Sequence, residues 1–310
     1  MSGGLQRAYN QKIRSTAALT KVFRAQELIA SSRISSARTQ QAAAEPYADA
    51  ITQAVSAVAI HSHDLDHPMT RPKPGNNKAA VLLLASDRGM AGSYAGAIIR
   101  EAERLLATLA AADPPKEVEL YVAGRRAVGY YHYRNRPLAG EWVYGSDHPT
   151  IAVSTEVANT LLEAFLAPTE NGGVGEVYVV YTKFISLVAQ EPKVVRMLPL
   201  EIINTETDDN SARGTEEQRS EYPLYEFEPS ETLVLDALLP RYVAARIRSF
   251  MLESAASEVA SRQRAMHAAV DNAHGIITKY TRYANAARQN DITQELTEIV
   301  SGANALADGQ

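Results

Sequence analysis

Four groups of residues in this 310-residue chain have types and spacing suited to chemistry. The first is the turn Ser86-Asp87-Arg88-Gly89-Met90-Ala91-Gly92, which follows the apolar run Ala79–Ala85. A glycine-bearing turn between strand and helix is where a nucleotide phosphate would sit. Gly89, Gly92 and Gly96 do not spell G-x-G-x-x-G, however, and no G-x-x-x-x-G-K-[ST] occurs. The stretch therefore reads as a tight turn capped by Asp87 or Ser86. The second group is His61, His63 and His67 with Asp64 and Asp66. H-x-H with carboxylates is a metal-ligand pattern, but Pro68, Pro72, Pro74 and Gly75 make the surroundings a connector without rigid flanks. The third is His267 and His274, which lie on roughly one helix face. With the single His132 and His148, they read as structural or exposed. The fourth is Glu295 and Glu298, a carboxylate pair at helical spacing. General-acid work would need a buried pocket around them, so solvated charges or interface contacts are the plainer reading. No Ser-His-Asp order, nucleophile elbow or H-E-x-x-H is present, and there is no cysteine to serve as nucleophile, zinc ligand or disulfide. No cofactor, metal or catalytic residue is expected.

The elements that would carry these residues are more informative. From Arg241 to Gln310 there is no proline, and Gly275, Gly302 and Gly309 are the only glycines. Such a run reads as one helix of about 100 Å at 1.5 Å per residue. A stripe of Met251, Ala255, Val259, Met266, Val270, Ala273, Ile277, Tyr280, Ala284 and Ala287, interrupted at Arg262, lies along one side. Small residues in it favour close approach of a second helix. Residues 1–60 offer that partner. Ile13, Ala17, Val22, Ala25, Ile29 and Ser32 recur near helical spacing with Leu28 beside them, and Pro46 is a point of interruption. Between residues 1 and 44 the basic side chains are Arg7, Lys12, Arg14, Lys21, Arg24, Arg33 and Arg38, against one acid, Glu27. This is either a face for an acidic partner or a solvated helix surface.

Between the two helices the hydrophobic period changes. Strands are expected at Ala79–Ala85, Glu117–Ala123, Trp142–Tyr144, Glu176–Thr182 and Val194–Ile203. Helices are expected at Ala95–Ala111, just after Gly124, and at Ser154–Leu166 with Ser154 as N-cap. Alternation of this kind argues an α/β domain with a largely parallel, Rossmann-like sheet. The polar stretch Asn204–Glu221 reads as a flexible loop, and Pro240 as a bend near the start of the last helix. The expected organisation is a helix over 1–60, a connector over 61–77, an α/β domain over 78–224 and a helix over 225–310.

A net charge of −5 gives no general signal for nucleic acid. The N-terminus lacks the apolar core of a signal peptide, and Ala79–Ala85, the longest purely apolar run, is too short to span a bilayer. A soluble chain, peripheral to a membrane only through partners, is expected.

The segment Ile292-Thr293-Gln294-Glu295-Leu296-Thr297-Glu298-Ile299-Val300-Ser301-Gly302-Ala303-Asn304-Ala305 resembles the C-terminal signature of the gamma subunits of F-type ATP synthases. Arg288-Gln289, Leu238-Leu239-Pro240-Arg241-Tyr242, Glu253-Ser254-Ala255-Ala256-Ser257-Glu258, Ala265-Met266 and Asp271-Asn272-Ala273 fit the same family, as do Ser86–Gly92 and Ala25–Arg33. The likeness spans nearly the whole chain. It implies an antiparallel, left-handed coiled coil of the terminal helices with the α/β domain inserted as a foot. It also implies a non-catalytic rotor shaft turning inside a ring of alpha and beta subunits, with the epsilon subunit and the membrane ring of c subunits at the foot. Proton flow would turn the shaft and drive ATP synthesis or hydrolysis at beta. The chain would then lie at the cytoplasmic face of the cell membrane.

The rotor–stator contacts of that family map onto Arg24, Gln26, Arg288, Gln289, Thr293 and Glu295. Departures are Val22-Phe23-Arg24-Ala25-Gln26, where the family often has Ile-Thr-Lys-Ala-Met, Met90-Ala91 for a common Leu-Cys, and Val270 for a common Thr. Two other readings remain: a coiled-coil adaptor with an α/β head, and an α/β enzyme with helical arms, which would need a ligand pocket.

Overall fold

The computed structural model describes residues 3–61, 67–200, 228 and 230–307. His63, Asp64, Asp66 and the 204–221 stretch lie outside them. The chain forms two compact units, residues 1–31 with 262–310 and residues 32–261. Two long helices, α1 (Gly3–His61) and α5 (Glu231–Ala307), contribute to both.

In the larger unit, five strands follow in chain order: β1 (Lys78–Leu84), β2 (Glu117–Ala123), β3 (Gly140–Trp142), β4 (Glu176–Phe184) and β5 (Gln190–Leu198). Their order in the sheet is β3-β2-β1-β4-β5. All pairings are parallel except β4–β5. From Ala79 onward the central strand is apolar because both its faces are covered. Ala79, Val81 and Leu83 point to one core, with Ile98, Ala102 and Leu106 of α2 (Tyr94–Ala110) and Ala127 and Tyr131 of α3 (Arg125–Tyr133). Ala80, Leu82 and Leu84 point to the other, with Val157, Leu161 and Phe165 of α4 (Ile151–Leu166), Val58 of α1, and Leu239, Val243 and Phe250 of α5. The segment of α5 from Ser254 to Ala260 is buried on every side, which explains its alanines and serines: larger side chains would hold the helix away from the sheet.

Four local expectations are corrected. The helix after the third strand begins at Ile151, capped by Thr150, whose hydroxyl accepts from the Val153 amide, while Ser154 is buried inside it and donates to the Ile151 carbonyl. The third strand is Gly140–Trp142, not Trp142–Tyr144; it pairs Tyr121 with Gly140 and Ala123 with Trp142. The last strand begins at Gln190, earlier than Val194, and runs through Pro192. Proline is tolerated there because β5 is an edge strand. Asp87 caps α3 and not the helix that follows it: its carboxylate accepts from the Arg125 and Ser146 amides.

In the smaller unit the two long helices pack side by side. Tyr9 lies 5.9 Å from Tyr280 and 5.7 Å from Tyr283 between ring centroids, and Glu27 meets His267. Rising numbers on α1 thus meet falling numbers on α5, so the pair is antiparallel. The α5 stripe is as expected, with Met266, Val270, Ala273 and Ala284 buried. The α1 stripe is met in part. Ile13 and Ala17 are half-buried, and Ala17, Ala25 and Leu28 line a groove with His274 and Ile277 of α5. Val22 and Ile29 are about half exposed, and the buried positions are Glu27 and Ala30. Two apolar stripes of the same period share this helix.

Candidate functional site

The sheet's order reverses between β1 and β4, the place where a fold of this topology opens a crevice for ligands. Here α5 fills it. The Ser254 hydroxyl accepts from the Thr182 amide at 3.2 Å, the Ser257 hydroxyl donates to the Thr182 carbonyl at 3.2 Å, and Tyr94, at the start of α2, donates to the Ser254 carbonyl at 3.1 Å. Beside them Tyr144 donates to the Ala85 carbonyl at 3.1 Å. Burial raises the Tyr144 pKa well above its ordinary value, with help from Tyr94 and the Glu258 carboxylate, so the hydroxyl stays a donor. Groups that would meet a phosphate in an open crevice are bonded to helix backbone and side chains.

Histidine chemistry is equally committed. His67 is buried, accepts at Nδ1 from the Met69 amide and therefore donates from Nε2 to Asp236 at 2.9 Å, tying the connector to the start of α5. No metal-binding cluster occurs among the described residues. Glu298 accepts from Gln294 one turn earlier, and no bond to Glu295 forms.

The smaller unit carries the resemblance-derived contact residues, and the structure distributes them unevenly. Arg24 is on the exposed side of α1 and donates to Glu27 at 2.8 Å. Gln26 is half-buried beside it. Arg288, Gln289, Thr293 and Glu295 are all exposed on α5, and the Thr293 hydroxyl donates back to the Gln289 carbonyl. On α1, Arg24 and Gln26 are two positions apart and point to different sides of the helix; on α5, the Thr293–Gln289 bond and the seven-residue spacing of Arg288 and Glu295 define two faces.

Around them the surface has a definite chemistry. Of the seven basic residues up to position 44, Lys12 is held by the Tyr280 hydroxyl and ring, Arg24 by Glu27 and Arg33 by Asp147. Arg7, Arg14, Lys21 and Arg38 are exposed and form no ion pair among the described residues. Glu27, the one acid in the stretch, is buried. Up to position 44 the outward surface of α1 is therefore basic, and its exposed acids, Glu45 and Asp49, lie beyond that stretch. Leu19, Val22, Leu28 and Ile29 on α1, and Ile292, Leu296, Ile299 and Val300 on α5, stand about half exposed or more. Aliphatic exposure on this scale marks a surface made for another protein.

The family model described as ATP synthase matches residues 6–306. The chain belongs to the ATP synthase gamma chain family. It is 54% identical to the ATP synthase gamma chain of Beutenbergia cavernae over 98% of this chain and 99% of that one, and 51% identical to that of an Arthrobacter species over 98% and 99%. In fold it resembles a chain of the Euglena gracilis mitochondrial ATP synthase OSCP/F1/c-ring structure, with TM-score 0.64 and 14% identity over 99% of this chain and 96% of that one. It also resembles one of the central stalk/c-ring of the Tetrahymena thermophila enzyme, with TM-score 0.54 and 18% identity over 80% and 99%. In this gamma chain family member no helix among the described residues is long and apolar enough to cross a membrane.

Proposed function

We propose that the chain is the central shaft of a proton-translocating F-type ATP synthase, turning inside a ring of alpha and beta subunits and linking proton flow through the c ring to ATP synthesis or hydrolysis at beta. The observation that carries this reading is the outward surface of α1 and α5: basic along α1 up to position 44, with half-exposed aliphatic side chains on both helices. A rotor must be held by many modest contacts and by none too tightly, and charge-assisted contacts screened by salt meet that need. Residues 1–60 and 225–310 form the shaft, and residues 78–224, reached through the 61–77 connector, form the foot that meets the epsilon subunit and the c ring. Arg24, Gln26, Arg288, Gln289, Thr293 and Glu295 are the contacts to the stator. The chain itself is non-catalytic and peripheral, at the cytoplasmic face of the cell membrane.

The test is reconstitution with the alpha and beta subunits, a bead on the α/β domain, and ATP. Stepwise rotation in one direction is the expected result. Binding without rotation would reduce the chain to a structural adaptor, and failure of the folded chain to bind would reject the reading.

A further inference from the structure

The loop from Tyr144 to Thr150 is held at several points by the α/β domain. The Tyr144 hydroxyl donates to Ala85. Gly145 takes the left-handed φ of 65° that turns the chain, and the His148 amide closes the turn on the Gly145 carbonyl at 2.7 Å. Ser146 is buried, accepting from the Asp87 amide and donating its own amide to the Asp87 carboxylate. Thr150 caps α4. A loop fixed in this way offers its two middle side chains in one orientation, and both go to α1. Asp147, its side chain one-tenth exposed, receives both Arg33 of α1 and, at 3.5 Å, Arg88 of the β1 turn on the same oxygen, Oδ2. His148 Nδ1 bonds the Gln40 amide at 2.8 Å. Arg33 and Gln40 are two turns apart on one face of α1.

We infer that Asp147 and His148 form a two-point clamp that sets the angle of α1 on the α/β domain, with Asp147 as a positioning residue for torque transfer; this rests on the rotor reading above. Val58 already anchors the C-terminal end of α1 in the core, and the two contacts, two turns apart and nearer the N-terminus, oppose swing of the helix about that anchor. Most exposed ion pairs hold little because both partners are mobile. Here the carboxylate is pre-oriented by its loop, and removing it leaves two guanidinium groups, Arg33 and Arg88, facing one another. The second acid nearby, Asp87, is already committed to the Arg125 and Ser146 amides and is not available to replace it.

Two measurements test the clamp. In the isolated chain, Asp147→Asn lowers amide protection of residues 33–40 by about threefold to tenfold, the range for loss of a part-buried ion pair, while protection of β1 is unchanged. In the reconstituted complex, stalled without ATP, the angular variance of a bead on the α/β domain rises, and ATP hydrolysis is unchanged. Arg33→Gln reproduces both effects, and the double variant adds nothing further, because the two residues act through one contact. Unchanged protection of 33–40 overturns the clamp, and so does an additive double variant. If the wild-type complex fails to rotate, the rotor reading falls instead, and the exchange measurement still decides the clamp.

Discussion

Glu27 of α1 and His267 of α5 meet across the helix pair, carboxylate Oε1 to Nδ1 at 2.9 Å, with Arg24 donating to the other carboxylate oxygen at 2.8 Å. His267 reaches on to Asp271 at 3.7 Å. The acid in the basic stretch of α1 is therefore an internal tie between the two helices.

That tie has a pH signature. Burial acts to raise the Glu27 pKa, but hydrogen bonds from His267 and Arg24 outweigh it and hold the carboxyl below its ordinary 4.5. A depressed folded-state pKa stabilises above the unfolded value and ceases to do so as pH falls through the folded one. Glu27→Gln therefore lowers the melting temperature at pH 7, and the deficit shrinks as the pH is taken below 4.5. His267→Ala costs about 1 kcal/mol at pH 7, a charge-assisted bond discounted for the exposure of the imidazole. Thermal melts of the isolated chain across that range check both; a deficit that grows on acidification contradicts the assignment.

Gly124 joins β2 to α3 at a φ of 118°, and a Cβ there would come within 2.3 Å of the Ala85 carbonyl oxygen. Neither the backbone angle nor the space admits a side chain. Gly124→Ala destabilises the α/β domain by about 2–4 kcal/mol, measurable by urea titration, whereas Gly129→Ala, with nothing within 4 Å of its Cβ, costs nothing by clash.

The filled crevice gives a third expectation. Ser257 is fully buried against the end of β4. Ser257→Leu overfills the site and costs about 1–3 kcal/mol. Ser257→Ala retains the packing and loses only the bond to Thr182, about 1 kcal/mol. Denaturation midpoints order the two, and equal losses would mean that the helix does not pack there closely.

Arg288 is exposed on α5. Arg288→Ala leaves the stability of the isolated chain within about 0.5 kcal/mol and lowers ATP-driven proton pumping per ATP hydrolysed in the assembled enzyme. Unchanged pumping removes Arg288 from the rotor–stator contacts.

Much of the larger unit was legible because its signals are local. The apolar run at β1 and the alternation in EVELYVA mark strands that residues within the same segment define. By spacing Asp87 caps the nearest helix, since sequence position cannot indicate that a carboxylate reaches an amide 38 positions later. The pairing of Arg33 with Asp147, 114 positions apart, left no trace in either neighbourhood. On α1, the outer stripe of Val22 and Ile29 has the same period as the inner one, and periodicity cannot tell a face covered by its own chain from one waiting for another protein. The contact residues Arg24 and Arg288 came from the resemblance and not from geometry; what the geometry adds is that Arg24 already has a partner.

The helix seated at the end of β4 has a consequence for synthesis on the ribosome. All five strands are complete at Leu198, yet Ser254 and Ser257 lie more than fifty positions further on. At about 5–20 residues per second, the nascent sheet spends seconds with Thr182 unpaired by its serines and its second face covered by α4 but not yet by Leu239, Val243 and Phe250 of α5. Slowing translation between Leu198 and Ser257 prolongs that interval.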